Sequence, residues 1–105
     1  YVRSIFLQGL LLLNYNKIPK KFKRKKRSNA WRSWSDWLKI NELSPIDVCL
    51  NFVNSNKYID KIVVGVHNLK HLKKIINFER KKIRYPIFFP LKNNKILNPL
   101  NWSTL

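Results

Sequence analysis

Gly65-Val66-His67-Asn68 and His71 follow directly on the apolar run Lys61–Val66. A strand that turns through a glycine into a helix points unpaired helix-start amides outward. The helix dipole favours negative charge at that end, so this spacing suits a bound phosphate. Gly65 permits close backbone approach, while Lys70, His71 and Lys74 supply cationic partners from the first turns. A structural βα turn with no ligand accounts for the same residues. His67 and His71 share a helix face at a spacing of four and, with Cys49, raise zinc binding. No fourth ligand is evident, and no H-E-x-x-H or C-x-x-C pattern accompanies them.

A second constellation is cationic and aromatic. Lys20 to Arg27 is strongly basic, and Trp31, Trp34 and Trp37 recur every third residue, which gathers them on one side of a helix and leaves Arg32, Ser35 and Asp36 on the other. Aromatics interleaved with cations hold single-stranded nucleic acid, whereas aromatic helical stripes commonly face a core. The formal charge of +17 and pI near 10.5 fit a nucleic-acid partner. They fit equally the Lys-, Asn- and Ile-rich usage that an AT-rich genome imposes on any protein. Acidic residues are too few and scattered to pair two carboxylates for general acid and base work.

The elements that position these residues can be read from the pattern. Residues 2 to 6, VRSIF, fit a short strand that Gln8-Gly9 interrupts. Lys20 to Ile40 carries the tryptophan helix. Ser44-Pro45-Ile46-Asp47 is a helix start, with Ser44 as cap, Pro45 at the first helical position and Asp47 at the positive end of the dipole. Ile46, Cys49, Leu50 and Val53 form its apolar face, and it should stop near Asn54 to Asn56. Lys61 to Val66 reads as a strand buried on both faces, and Asn68 caps a helix whose core face is Leu69, Leu72, Ile75 and Ile76. This order predicts an α/β fold with a parallel sheet. Two parallel strands cannot stand alone, so residues 1 to 78 would expose apolar edges unless other protein covered them. Residues 79 to 105, punctuated by Pro86, Pro90 and Pro99, predict an extended tail held by its aromatics.

The single cysteine excludes an intrachain disulfide. The apolar run Ile5 to Leu13 is broken by Gln8 and Gly9 and falls short of the roughly 20 residues that span a bilayer. No cleavage pattern follows it. A soluble, cytoplasmic chain with no membrane partner is the expectation. Tyr1 opens the chain where Met would start one, so a C-terminal piece of a larger enzyme is expected.

Three stretches carry a resemblance. Ser4 to Leu11, S-I-F-L-Q-G-L-L, is similar to the S-P-L-x-Q-G-x-L loop after the seventh barrel strand of the aldo/keto reductases. Ser44 to Phe52 is similar to that family's T/S-P-x-x-x-A-L-x-[WF] helix, and Val63 to Asn68 resembles its eighth strand's I-P-G-x-x-N/S. The matches are colinear over residues 2 to 78. The resemblance implies the C-terminal fragment of a (β/α)8 TIM barrel, its last two strands and their helices, followed by an irregular tail. It also implies a nicotinamide cofactor, NADP or NAD, held across the strand ends.

Carried over by position, Ser4, Phe6, Gln8 and Gly9 would lie along the pyrophosphate. Gly65, His67, Asn68 and His71 would surround the adenosine phosphate, with Lys70 and Lys74 in support. Arg3 stands where relatives place an aromatic residue on the nicotinamide, Val64 replaces a Pro, and His71 replaces an Arg that selects the 2′-phosphate. The family's Asp, Tyr, Lys and His catalytic set matches no position here. The implied activity of the intact protein is therefore NAD(P)H-dependent reduction of a small carbonyl to an alcohol, and this chain would carry part of the cofactor rim without the reacting groups. Arg3-Ser4, the leucine run and Asn98 to Trp102 resemble the branch associated with surface-polysaccharide and nucleotide-sugar biosynthesis. The alternative is a small basic nucleic-acid-binding protein using Lys20 to Arg27 and the tryptophan stripe.

Overall fold

Three helices carry the structure, a computed structural model that describes residues 1–24, 27–85 and 99–104: α1 (Arg27–Ile40), α2 (Pro45–Asn54) and α3 (Leu69–Ile76). Short 3₁₀ turns lie at Leu10–Leu12, Tyr15–Lys17, Lys20–Phe22 and Pro99–Thr104. Among the described residues there is no β-strand or sheet, and the expected barrel fragment is not the fold this chain adopts. What survives of the two strands is one parallel bridge between Val2 and Ile62, closed by Val2 N–H to Lys61 O at 3.0 Å and Val63 N–H to Val2 O at 2.7 Å.

The physical reason is local at one strand and global at the other. Ser4, Leu7 and Gln8 have φ of 60°, 49° and 53°, and Gly9 has 86°, so the backbone turns where the sequence predicts extension. Phe6 accepts bonds from Gly9 N–H and Leu11 N–H, which folds 4–12 into a hydrogen-bonded coil. Lys61–Val66 has β-branched residues suited to a two-sided sheet but, among the described residues, only one pairing partner, and Val63 and Val66 are exposed rather than buried.

The chain divides into two compact units. The first comprises Tyr1–Leu12 and Leu43–Tyr85. Its core is Phe6, Leu10, Ile46, Val48, Cys49, Leu50 and Val53, all buried. α2 supplies most of it and packs on Leu10–Leu12 and on α3. Pro45 and Asp47 sit as the sequence predicts, but the Ser44 hydroxyl makes no capping bond, so the backbone alone starts this helix. The expected tail, from residue 79, begins inside this unit. Buried Asn51 donates to Asp47 O at 2.8 Å and Glu79 O at 2.7 Å and accepts from Lys81 N–H at 2.9 Å, docking 79–81 as a strand would. Tyr85 continues the docking with its hydroxyl on Val48 O and its ring edge-on to Phe52.

The second unit comprises Leu13–Glu42 and the described part of Pro86–Leu105. Ile18, Phe22, Trp31 and Leu38 are its buried side chains. Trp31 Nε1 donates to Phe22 O at 2.9 Å, and the Phe22 ring meets Trp102 edge-on at 4.8 Å. Trp31 is thus a core residue, while Trp34 and Trp37 are half-buried with their rings 6.0 Å apart. Lys25, Lys26, Pro86, Pro90 and Asn98 lie outside the described residues.

The apolar face of α3 does not lie in a core: none of its residues is buried. Among the described residues, no helix is long and apolar enough to cross a membrane.

Candidate functional site

Within the first unit, the 3–12 coil and the 63–75 segment enclose a cleft of about 350 Å³. That volume is at the small end of the roughly 300–1,000 Å³ typical of ligand sites, enough for a diphosphate or one half of a dinucleotide. The Val2–Ile62 bridge holds the two segments side by side, so the left-handed turn at 4–9 and the start of α3 meet across one opening.

Arg3, Ser4, Phe6, Gln8 and Gly9 line the cleft from one side, and Gly65, His67 and His71 from the other. Apart from Arg3, whose place in the resemblance is at the nicotinamide, these are residues that the resemblance implies for a cofactor's phosphates, and they come together here without a barrel. Gly9 and Gly65 leave the backbone bare: a methyl group on either would meet no atom within 4 Å. Ser4, Gln8 and Gly9 all hold positive φ, a costly state for the two that carry side chains. Such strain characteristically accumulates where a loop is shaped for a ligand.

Asn68, Lys70 and Lys74 stand apart from the cleft. The Asn68 side chain accepts from His71 N–H at 2.8 Å and is thereby used up as the cap of α3. Lys70 and Lys74 do not line the opening. Val63, Val64, Ile5, Leu12 and Ile75 complete the wall with apolar surface. Ile75 was read as core; its spacing of four from His71 is the signal that could have placed both on the cleft side of α3.

The zinc reading gains no support from this geometry. The rings of His67 and His71 are 6.5 Å apart and edge to face. Cys49 is buried in the core of the first unit, where desolvation pushes its thiol up to about 12. Among the described residues, no cluster of three His, Cys, Asp or Glu could hold a metal.

The second unit has its own polar cleft of about 570 Å³, lined by Asn14, Tyr15, Asn16, Arg32, Ser35, Asp36 and Lys39. The Tyr15 ring lies under two cations, Lys23 Nζ at 4.6 Å and the Arg32 guanidinium at 5.3 Å. Arg32 Nε donates to the Tyr15 hydroxyl at 3.2 Å, and this bond raises the guanidinium's already high pKa. Trp34 and Trp37 do not line this cleft. The chain matches no protein family model, no curated protein and no solved structure.

Proposed function

We propose that the Tyr1–Leu12 and Leu43–Tyr85 unit binds the phosphate-bearing part of a nicotinamide dinucleotide, NADP or NAD, and serves a carbonyl-reducing oxidoreductase as part of its cofactor rim. The observation that carries this reading is the convergence of Arg3, Ser4, Gln8 and Gly9 with Gly65, His67 and His71 on one cleft. The donors fit an anion: a guanidinium, an amide, a hydroxyl, two imidazoles and bare backbone at two glycines. The reading rests on these groups and on the aldo/keto reductase-like motifs that contain them, with no barrel assumed. When bound, the cofactor would supply hydride. The residues of this cleft bind and orient, since none of them is a tyrosine with a lysine beside it to deliver the matching proton.

Titration of the full chain with NADP⁺ and NAD⁺, followed by calorimetry, tests this. Saturable binding that Arg3→Ala weakens by about tenfold or more, as loss of a charge-assisted bond does, is the expected result. Binding that ignores Arg3→Ala and His71→Ala, or its absence at millimolar nucleotide, overturns it. Single-stranded DNA binding with a log-log salt slope of several units, and with its affinity weakened by Trp34→Ala, would assign the chain to nucleic acid instead.

A further inference from the structure

Helix α3 is folded, capped and almost bare. Leu69 and Ile76 are 63% and 68% exposed and Leu72 is 37% exposed. At spacings of three and four they form one stripe along the helix. An eight-residue helix is too short to be stable in water by itself, so a solvated apolar stripe on it calls for a cover. Lys73 borders the stripe on one side, with Lys70 and Lys74 on the arc beyond, and α3 contains no acidic residue. None of these lysines enters an ion pair among the described residues. The approach to the helix adds exposed Tyr58 and Val66 together with Lys57 and Lys61, against one acidic residue, Asp60.

We propose that α3 and the segment leading into it make a peripheral contact with an anionic lipid surface, with Leu69, Leu72 and Ile76 entering the acyl boundary and the lysines meeting the headgroups. Charge decides between occupants. A second copy of a +17 chain would bring lysine rows against each other, whereas an acidic bilayer offers an apolar layer and negative charge together. The contact lies on the surface and needs no spanning segment, so it departs from the sequence expectation of no membrane partner without conflicting with the helix lengths. Its anchoring residues Leu69, Leu72 and Ile76 lie outside the nucleotide cleft, so it stands or falls separately from it.

Co-sedimentation of the full chain with phosphatidylserine-containing vesicles, compared with pure phosphatidylcholine vesicles, is the test. Because any chain of this charge adsorbs to acidic lipid, the deciding variant keeps the charge: Leu69→Ser with Ile76→Ser. Both residues are exposed, and circular dichroism checks that the helices remain. Binding to the acidic vesicles should fall about tenfold or more in this variant. Lys70→Gln, Lys73→Gln and Lys74→Gln together should weaken it further, about fivefold for each lysine at the surface. NADP⁺ titration of the serine variant should be unchanged. Vesicle binding equal to the unaltered chain's would reduce the contact to nonspecific charge and overturn the proposal. So would self-association in lipid-free buffer that the serine variant abolishes, which would assign the stripe to a second copy.

Discussion

Replacing Asn51 should release residues 79–81 from α2, and two replacements at this site should behave differently for a reason visible in the geometry. Asn51 is buried, and its amide nitrogen serves two carbonyls at 2.8 and 2.7 Å while its oxygen accepts from Lys81 N–H at 2.9 Å. Asn51→Leu deletes all three bonds. The Asp47 carbonyl still belongs to α2, whereas Glu79 O and Lys81 N–H lose their partner at a solvent-facing edge where water can replace it. At a net 0.5–1.5 kcal/mol for each of the two bonds that hold 79–81, the loss is about 1–3 kcal/mol. Asn51→Asp keeps the shape but sets an oxygen that cannot donate against two carbonyl oxygens, and it buries a charge. At neutral pH it should therefore cost more than the leucine. Protonation restores one donor, so the new carboxyl has its folded pKa raised above the usual ~3.9. The sign follows: the folded state holds the extra proton. Stability of this variant is greatest below about pH 4 and declines on raising the pH, by up to about 1.4 kcal/mol per unit, until the folded carboxyl ionises. Urea denaturation followed by far-UV circular dichroism at pH 4 and pH 7, with hydrogen exchange at the Lys81 amide, measures both effects. Wild-type stability for Asn51→Asp at pH 7, or a Lys81 amide that exchanges as fast in the unaltered chain as in Asn51→Leu, would refute the reasoning.

Other substitutions probe the remaining ties. Cys49 keeps its proton to about 12 in the folded chain, so stability should be complete below its ordinary range near 9 and fall as pH rises through it, by at most about 1.4 kcal/mol per unit. Urea midpoints at pH 8 and 10.5 should show a slope that Cys49→Ala reduces. Asn68→Ala removes a real capping bond and should cost about 1 kcal/mol, while Ser44→Ala, whose hydroxyl makes none, should stay within about 0.5 kcal/mol; thermal melts of the two variants compare them directly. Trp31→Phe preserves much of the ring's bulk but leaves the Phe22 carbonyl without its indole donor, and a loss of about 1–3 kcal/mol in urea unfolding is expected.

Local chemistry was the legible part of this sequence. Ser44-Pro45-Ile46-Asp47 announces α2, Asn68 announces α3, and the apolar spacing of Ile46, Cys49, Leu50 and Val53 gives the buried face of the first unit. Nearly all the cleft's polar residues were also legible, because the turn glycines and the histidines sit within short motifs. What pattern could not supply was the number of partners. Lys61–Val66 has strand composition, but a strand requires a neighbour along its length, and among the described residues only Val2 pairs with it. The left-handed turn at Ser4 to Gly9 was hidden for a different reason: Ser4, Leu7 and Gln8 carry side chains that usually avoid positive φ. Asn51 was missed because a polar residue on an apolar helix face declares its role only when the segment it holds, 79–81, is placed beside it.

Backbone amide NMR of the full chain during NADP⁺ addition reads directly whether the cleft of the first unit takes a nicotinamide nucleotide's phosphates. Resonances of residues 3–9 and 65–71 should shift together and saturate, while those of 13–24 and 27–42 stay in place. Shifts spread over Lys20 to Lys23 and the Trp34 and Trp37 region, with Arg3, Gly9, Gly65 and His71 unmoved, would contradict this.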